Sequence, residues 1–444
     1  MSRVKQFLSC FQHSPTRLSK TDVTRSTASN ILSTKSTTEL FVATSIFTFC
    51  RFEILINPAI KLLRKAAESG ARMSSLLLLT KYTAFKHFCA GETLEDCQRI
   101  IKQMKRSNVG VLLDQSVEER EEPSEWKINV GNKIQLLEKC SENNIKVLGV
   151  PIKATAMVSP HLLETMTKII VNESKEDQSY IDLERCPLSQ LSTTDISFYN
   201  QGMKNLQQVC AKAEKFNIPI LLDAEQSHRQ PAIDFICRRL QLEFNKKNPI
   251  VWNTYQMYMK CSGRRLQRDL KDSVNQNYKL AAKIVRGAYV MAEMERSNMN
   301  DDWKYPLWDE KKLTDIHFDE NVTKVISTIN ETNASILIAT HNRDSVENAI
   351  SSMEKYFVKP NDNRINFAQI MGMCDILTNS LGIMGYNSHK LILFGEFMEI
   401  FPWLLRRLDE NKDMLGAAQM ELNIIRKELF FRIIDPFIVF RSNK

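Results

Sequence analysis

From residue 110 onward, short runs of apolar and β-branched residues alternate with longer stretches in which apolar positions recur every three or four residues. The short runs have the length of buried strands, and the longer period is that of helices packed by one face. Eight strands are predicted: "GVLLDQ" (110 to 115), "VLGVPIKATA" (147 to 156), "IPILLDAEQ" (218 to 226), "PIVWNTYQ" (249 to 256), "AKIVRGAY" (282 to 289), "SILIATHN" (335 to 342), "INFAQIMGM" (365 to 373) and "KLILFGE" (390 to 396). Between them "VGNKIQLLEKCSENN", "NLQQVCAKAEKFN", "AIDFICRRLQLEFNKK" and "SVENAISSMEKYF" carry the helical period. Eight strand and helix units over roughly 330 residues predict a (β/α)8 barrel. An open doubly wound sheet fits less well, because no strand leads into a GxGxxG or P-loop. Residues 55 to 106 predict helices, with a break at Gly70 and a helix start at Thr93, Glu95 and Asp96.

Composition narrows the picture at the amino end. The first 38 residues hold Arg3, Lys5, Arg17, Lys20, Arg25 and Lys35 against one acid, Asp22, with fifteen serines and threonines. That is the composition of a mitochondrial transit segment, expected to be disordered. With the strand pattern it gives three regions: a transit-like segment 1–38, a helical region 39–106 and a barrel 107–440. The apolar run "LFVATSIFTFC" (40 to 50) is half the length of a bilayer-spanning helix, which needs about 20 residues. The net charge of +8 is spread along the chain and forms no basic stripe, so a nucleic-acid partner is not expected. The ten cysteines show neither CxxC pairs nor Cys/His ligand spacing, so they read as reduced thiols and no metal site is expected.

In a barrel the active site lies at the carboxyl ends of the strands. Polar residues gather at those ends: Lys153 in the second strand, Asp223 and Glu225 ending the third, Asn253 and Gln256 the fourth, Arg286 and Tyr289 the fifth, His341 and Asn342 the sixth. Each alone has a structural explanation, as a helix cap or a bonded core group; their recurrence in register points to a site. Further on, "FPWLLRRLDEN" (401 to 411) reads as a helix with Phe401, Leu404, Leu405 and Leu408 on one stripe. Trp403, Arg406, Arg407 and Glu410 are expected to converge on another.

The stretches "LLDAEQSHRQPAIDF", "KIVRGAYVMAEMER", "IATHNRDS", "FAQIMGMCD" and "FPWLLRRLDEN", with "PIVWNTYQMYMK" and "YTAFKHFCAGETLEDC", resemble the proline dehydrogenase family in order and spacing, over about residues 75 to 430. The resemblance implies a distorted (β/α)8 barrel holding FAD, with a last helix lying over the barrel mouth, and oxidation of L-proline to 1-pyrroline-5-carboxylate. It places Arg406, Arg407 and Lys153 on the substrate carboxylate, Asp223 as the active-site aspartate, and Ile284, Tyr289 and Ile370 around the ring pocket, with Leu391 and Trp403 at pocket positions. For FAD it points to Gln256, Arg286, Gly287, Ala288, His341, Asn342 and Glu410. It further implies electrons passed to a quinone and peripheral association with the matrix side of the inner mitochondrial membrane. The chain departs from the family where a strand-eight Tyr-x-Pro-aromatic-Gly-Pro pattern is usual: "LILFGEF" has Leu391, Leu393 and Glu396 at the tyrosine and the two prolines. Trp403 also replaces a frequent tyrosine, as does Gln115 near the first strand. These changes leave open a hydroxyproline dehydrogenase, or a weakly active or non-catalytic paralogue.

Overall fold

The computed structural model describes residues 32, 35–50, 52–68, 75–115, 119–173, 188–299, 307–413 and 415–434. Residues 1–31 and the expected break at Gly70 lie outside these residues, and so do the side chains of Arg407 and Glu410. Nine strands are present: β1 (Cys89–Gly91), β2 (Val109–Gln115), β3 (Val150–Ile152), β4 (Ile220–Leu222), β5 (Val251–Gln256), β6 (Ala281–Val285), β7 (Ser335–Ala339), β8 (Ile365–Ile370) and β9 (Ser388–Phe394). The last eight are the eight read from the sequence, with bounds that differ by a few residues. The chain divides into two compact units, one of residues 1–116, 341–350 and 367–444, the other of residues 117–340 and 351–366.

The second unit carries β3 to β7 as consecutive parallel neighbours. Their inner residues are almost all buried, as expected for parallel strands covered by helices on the outer face. Several helices that feed strands stop on an asparagine in the left-handed region. Asn144, Asn217 and Asn333 do so here, and Asn108 does so before β2 in the first unit, with φ between 51° and 54°. Asparagine tolerates that conformation better than other side-chain-bearing residues, so it ends a helix where glycine is not used.

In the first unit, β9 pairs in parallel with β8, with β2 and with β1. The sequence reading ran helix through residues 55 to 106, whereas Cys89–Gly91 form a short strand. Gly91 has φ +145°, and its place against Asp96 leaves no room for a Cβ. The next helix, Leu94–Lys105, then starts on a reciprocal cap between Thr93 and Asp96. The amino-terminal helix Thr37–Cys50 is capped by Ser36 and Glu39, each accepting from the other's backbone N–H. Leu32 is buried, and Arg432 donates to the carbonyls of Leu32 and Lys35. The described residues thus include 32 and 35–38 of the segment that composition assigned to a leader. Among the described residues no helix is long and apolar enough to cross a membrane, and the eight described cysteines are buried thiols outside any disulfide.

Three histidines are held neutral. Burial depresses His389 to about 4, and burial aided by Lys35 does the same for His87. In the second unit, burial and then Arg296 and Arg229 bring His228 to about 4. An unfolded histidine titrates near 6.5, so between pH 6.5 and 4 the unfolded chain binds more protons than the folded one. Stability therefore rises with pH through that window and is lost on acidification, by up to about 1.4 kcal/mol per pH unit for each group. Urea unfolding between pH 7 and 4.5 should show this slope, and His389→Gln should reduce it by about one proton. An unchanged slope in that variant would remove His389 from the account.

Candidate active site

In the second unit, half-buried residues gather where the strands end. Asp223 follows β4 directly, and its carboxylate accepts from Lys283 Nζ of β6 at 2.6 Å. The sequence reading expected Lys153 and the arginines beside Asp223; the described partner is Lys283, the single charge in the run "AAKIV". Register explains the choice. Asp223 N–H bonds the Ile152 carbonyl, which fixes it just past β4, and a lysine side chain on a strand two places away spans the gap. Lys153, directly after β3, is half-buried and acts electrostatically on Glu225. Glu225 is buried and accepts from the Thr155 backbone and hydroxyl, at 3.1 and 2.9 Å for the nearest oxygens. Burial pushes its carboxyl above the usual range, against the Thr155 bonds and the Lys153 charge.

Gln256, buried at the end of β5, donates to the Glu225 carbonyl at 2.8 Å, which orients its amide. Arg286 is not free to swing: Asp315 takes its Nε, Thr340 takes Nη1 at 2.6 Å, and its guanidinium lies 4.5 Å from the centre of the Phe318 ring. Gly287 has φ +126°, and a Cβ there would sit 1.8 Å from the Tyr258 ring and 3.2 Å from Gln256 Oε1. Glycine is thus required both by conformation and by close approach. Beside it, Tyr258 is buried, and burial pushes its phenol well above the usual range against the Gln256 amide beside its hydroxyl. Ala288 is exposed, Tyr289 half-buried and Ile284 fully buried in β6. Arg286 is thus held in place by protein groups alone, and the Tyr258 ring covers the face of Gly287.

In the first unit, Ile370 at the end of β8 stands in register with Leu391 of β9, so two of the expected pocket residues are neighbours. The Ile370 N–H donates to His341 Nε2 at 3.0 Å, which leaves the imidazole proton on Nδ1. Asn342 accepts from the Ser345 N–H at 3.2 Å and so caps the helix Arg343–Lys355. The helix Phe397–Asp413 carries Arg406 on an exposed face with Glu399 and Pro402. Trp403 differs from the two-faced expectation: it is buried with Phe397, Ile400, Phe401, Leu404 and Leu405 in one apolar cluster. The buried arc is wide because several helices of this unit cover it, so a tryptophan at its edge packs inward.

Parallel strands with polar residues collected at their carboxyl ends define an α/β barrel enzyme. A family model described as proline dehydrogenase matches residues 97–419. Mitochondrial proline dehydrogenase 1 of Dictyostelium discoideum is 30% identical, over 91% of this chain and 74% of its own length. Hydroxyproline dehydrogenase of Xenopus laevis is 24% identical, over 90% and 88%. A solved proline utilization A protein from Bdellovibrio bacteriovorus superposes with a TM-score of 0.66 at 16% identity, covering 92% of this chain; the chain spans 41% of that protein. The fold is accordingly that of a distorted (β/α)8 barrel. The chain belongs to the proline dehydrogenase family and is an oxidoreductase of that type.

Two stability experiments test the second unit. Asp223→Asn and Lys283→Met should couple in a double-mutant cycle by about 1 to 3 kcal/mol, read from urea unfolding. A coupling near zero would break the pair. Gly287→Ala should cost about 2 to 4 kcal/mol, since the methyl meets both a disallowed φ and an aromatic ring. Wild-type stability in that variant would mean the close approach is not there.

Proposed function

We propose that the chain is an FAD-dependent proline dehydrogenase that converts L-proline to 1-pyrroline-5-carboxylate and passes the electrons to a quinone at the matrix face of the inner mitochondrial membrane. The observation that carries the reading is the match of the proline dehydrogenase family model over residues 97–419, with Arg286 and Gly287 held in place just after β6. Asp223, directly after β4 in the same unit, is already paired with Lys283. The mitochondrial names of the relatives and the basic, serine-rich amino end support the location.

FAD, when bound, supplies a two-electron acceptor for the hydride that leaves the proline ring carbon. Gln256, Arg286, Gly287, Ala288, His341, Asn342 and Glu410 would hold it. The rest of the work is positioning. Arg406, Arg407 and Lys153 hold the substrate carboxylate, a task suited to the forked donors of guanidinium. Asp223, tied to Lys283, keeps a fixed negative charge near the amine and orients it. Ile284, Ile370, Leu391 and Tyr289 close the ring pocket against water, and Trp403 supports it from the helix.

Hydroxyproline is the second reading, favoured by a relative that carries that name over most of the chain. Leu391 weighs against it, because a leucine offers nothing to a ring hydroxyl. The purified protein should be yellow and should bleach anaerobically with L-proline but not with trans-4-hydroxy-L-proline. The reverse order would install the second reading, and a colourless protein after incubation with excess FAD would remove both. Arg406→Met and Arg407→Met should each raise the KM for proline about tenfold or more with flavin binding kept. An unchanged KM in both would take the carboxylate away from them.

A further inference from the structure

Lys390 sits in the middle of β9 with 1% of its surface exposed. An ammonium there survives only if each of its protons meets an acceptor. Three are at hand: the Met373 carbonyl at 2.5 Å, the Ile370 carbonyl at 3.1 Å and Asp375 Oδ1 at 2.8 Å. Two of them belong to the turn that leaves β8. That turn is costly in itself, with Gly372 at φ +78° and Cys374 at φ +50°. Gly372 is also pinned from outside, since its carbonyl bonds His87 Nε2 at 2.9 Å and a Cβ on it would meet the His87 backbone.

The geometry points to Lys390 as a positioning residue: by gripping the Ile370 and Met373 carbonyls it fixes the β8 exit, and with it the Ile370 N–H that sets the orientation and tautomer of His341. The peptide that accepts from Lys390 and the amide that donates to His341 belong to the same residue, so a shift of the turn moves both bonds together. Asp375 neutralises the ammonium and shares its other oxygen with Lys35, from the amino-terminal segment. Glu421, from the carboxyl-terminal helix Leu415–Ile434, accepts from the Ile376 N–H at 3.2 Å and completes the cluster. Burial pushes Asp375 up, but Lys35 and Lys390 outweigh it and hold its carboxyl well below the usual range. Lys35 thus contributes charge balance, while of the two lysines it is Lys390 that bonds the carbonyls of the turn. The role of His341 toward the flavin rests on the function proposed above; the grip of Lys390 on the Ile370 amide does not.

Amide hydrogen exchange on the flavin-free full chain reads the proposal directly. In Lys390→Met, exchange at Ile370 and across residues 371–374 should quicken about tenfold relative to the rest of β8 and β9. Lys35→Met, which removes a charge from the same cluster but no bond to the turn, should lower the melting temperature and leave those amides as in the wild type. Should Lys390→Met not fold, Lys390→Arg keeps a charge opposite Asp375 while its planar fork cannot serve three acceptors around one nitrogen. The same local quickening, at least threefold, is expected there. With flavin present, the Lys390 variant should hold FAD about tenfold more weakly and the Lys35 variant normally. Exchange unchanged at Ile370, or raised evenly throughout both variants, overturns the positioning role. A wild-type chain that takes up no flavin overturns the proposed function and leaves the exchange result to decide this one.

Discussion

A charge inside a parallel strand has to be answered within the length of its own side chain. Two lysines impose that constraint on this chain, one in each unit. Lys283 interrupts an apolar β6 and Lys390 an apolar β9, and each ammonium reaches an aspartate placed at or just after the end of another strand's exit, Asp223 and Asp375. A neutral, well-packed residue at either position would cost less desolvation, so burial of the pair is poor evidence for stability. What the pairs do supply is position. Each ties a strand body, where the backbone is held by ladder bonds, to the irregular segment beyond a neighbouring strand, where it is not. Those irregular segments carry the residues proposed to touch substrate and cofactor.

The same division between rigid strand and shaped exit runs through the second unit. Thr155, Glu225 and Gln256 make a chain of bonds from the turn after β3 to the end of β5. Because Glu225 is committed to Thr155 through its carboxylate and to Gln256 through its carbonyl, the Gln256 amide has one orientation. Arg286 is fixed by three groups from the following helix and strand exit before any ligand arrives. Preorganisation of this kind lowers the entropic cost of binding a large cofactor, which is otherwise met from contact energy.

How much of this was open to reading in one dimension depended on whether the signal was local. The strand and helix alternation was legible because buried parallel strands are short apolar runs, and eight of the nine appeared where the runs were. β1 was not, since three residues flanked by helices carry no period of their own; the positive φ of Gly91 makes it, and glycine alone does not announce its angle. Asp223, His341 and Asn342 stood out as polar residues at strand ends. Their partners did not, because Lys283 lies sixty residues from Asp223 and only the register of neighbouring strands brings them together. Lys283 and Lys390 were each visible as a lone cation in an apolar run, which is the sign that could have flagged both. Lys35 was counted with the basic leader on composition, yet its ammonium is spent on Asp375; composition cannot tell a targeting charge from a structural one. Trp403 was drawn to the polar stripe by a helical wheel that assumes two faces, whereas this helix buries more than half its circumference.

The helix Phe397–Asp413 shows why the paired arginines need not do the same job. Successive residues on a helix point about 100° apart, so Arg406 and Arg407 cannot share a direction. Arg406 keeps company with Glu399 and Pro402 on the exposed face. On the proposed reading Arg406 would be drawn from this exposed face to the substrate carboxylate, giving up hydration as it binds. On the same reading, Leu391 beside Ile370 would leave a ring hydroxyl with no acceptor, because two branched aliphatic chains in register offer none. Burying such a group unbonded costs about 1 to 3 kcal/mol, enough on its own to favour the unsubstituted ring by roughly tenfold or more.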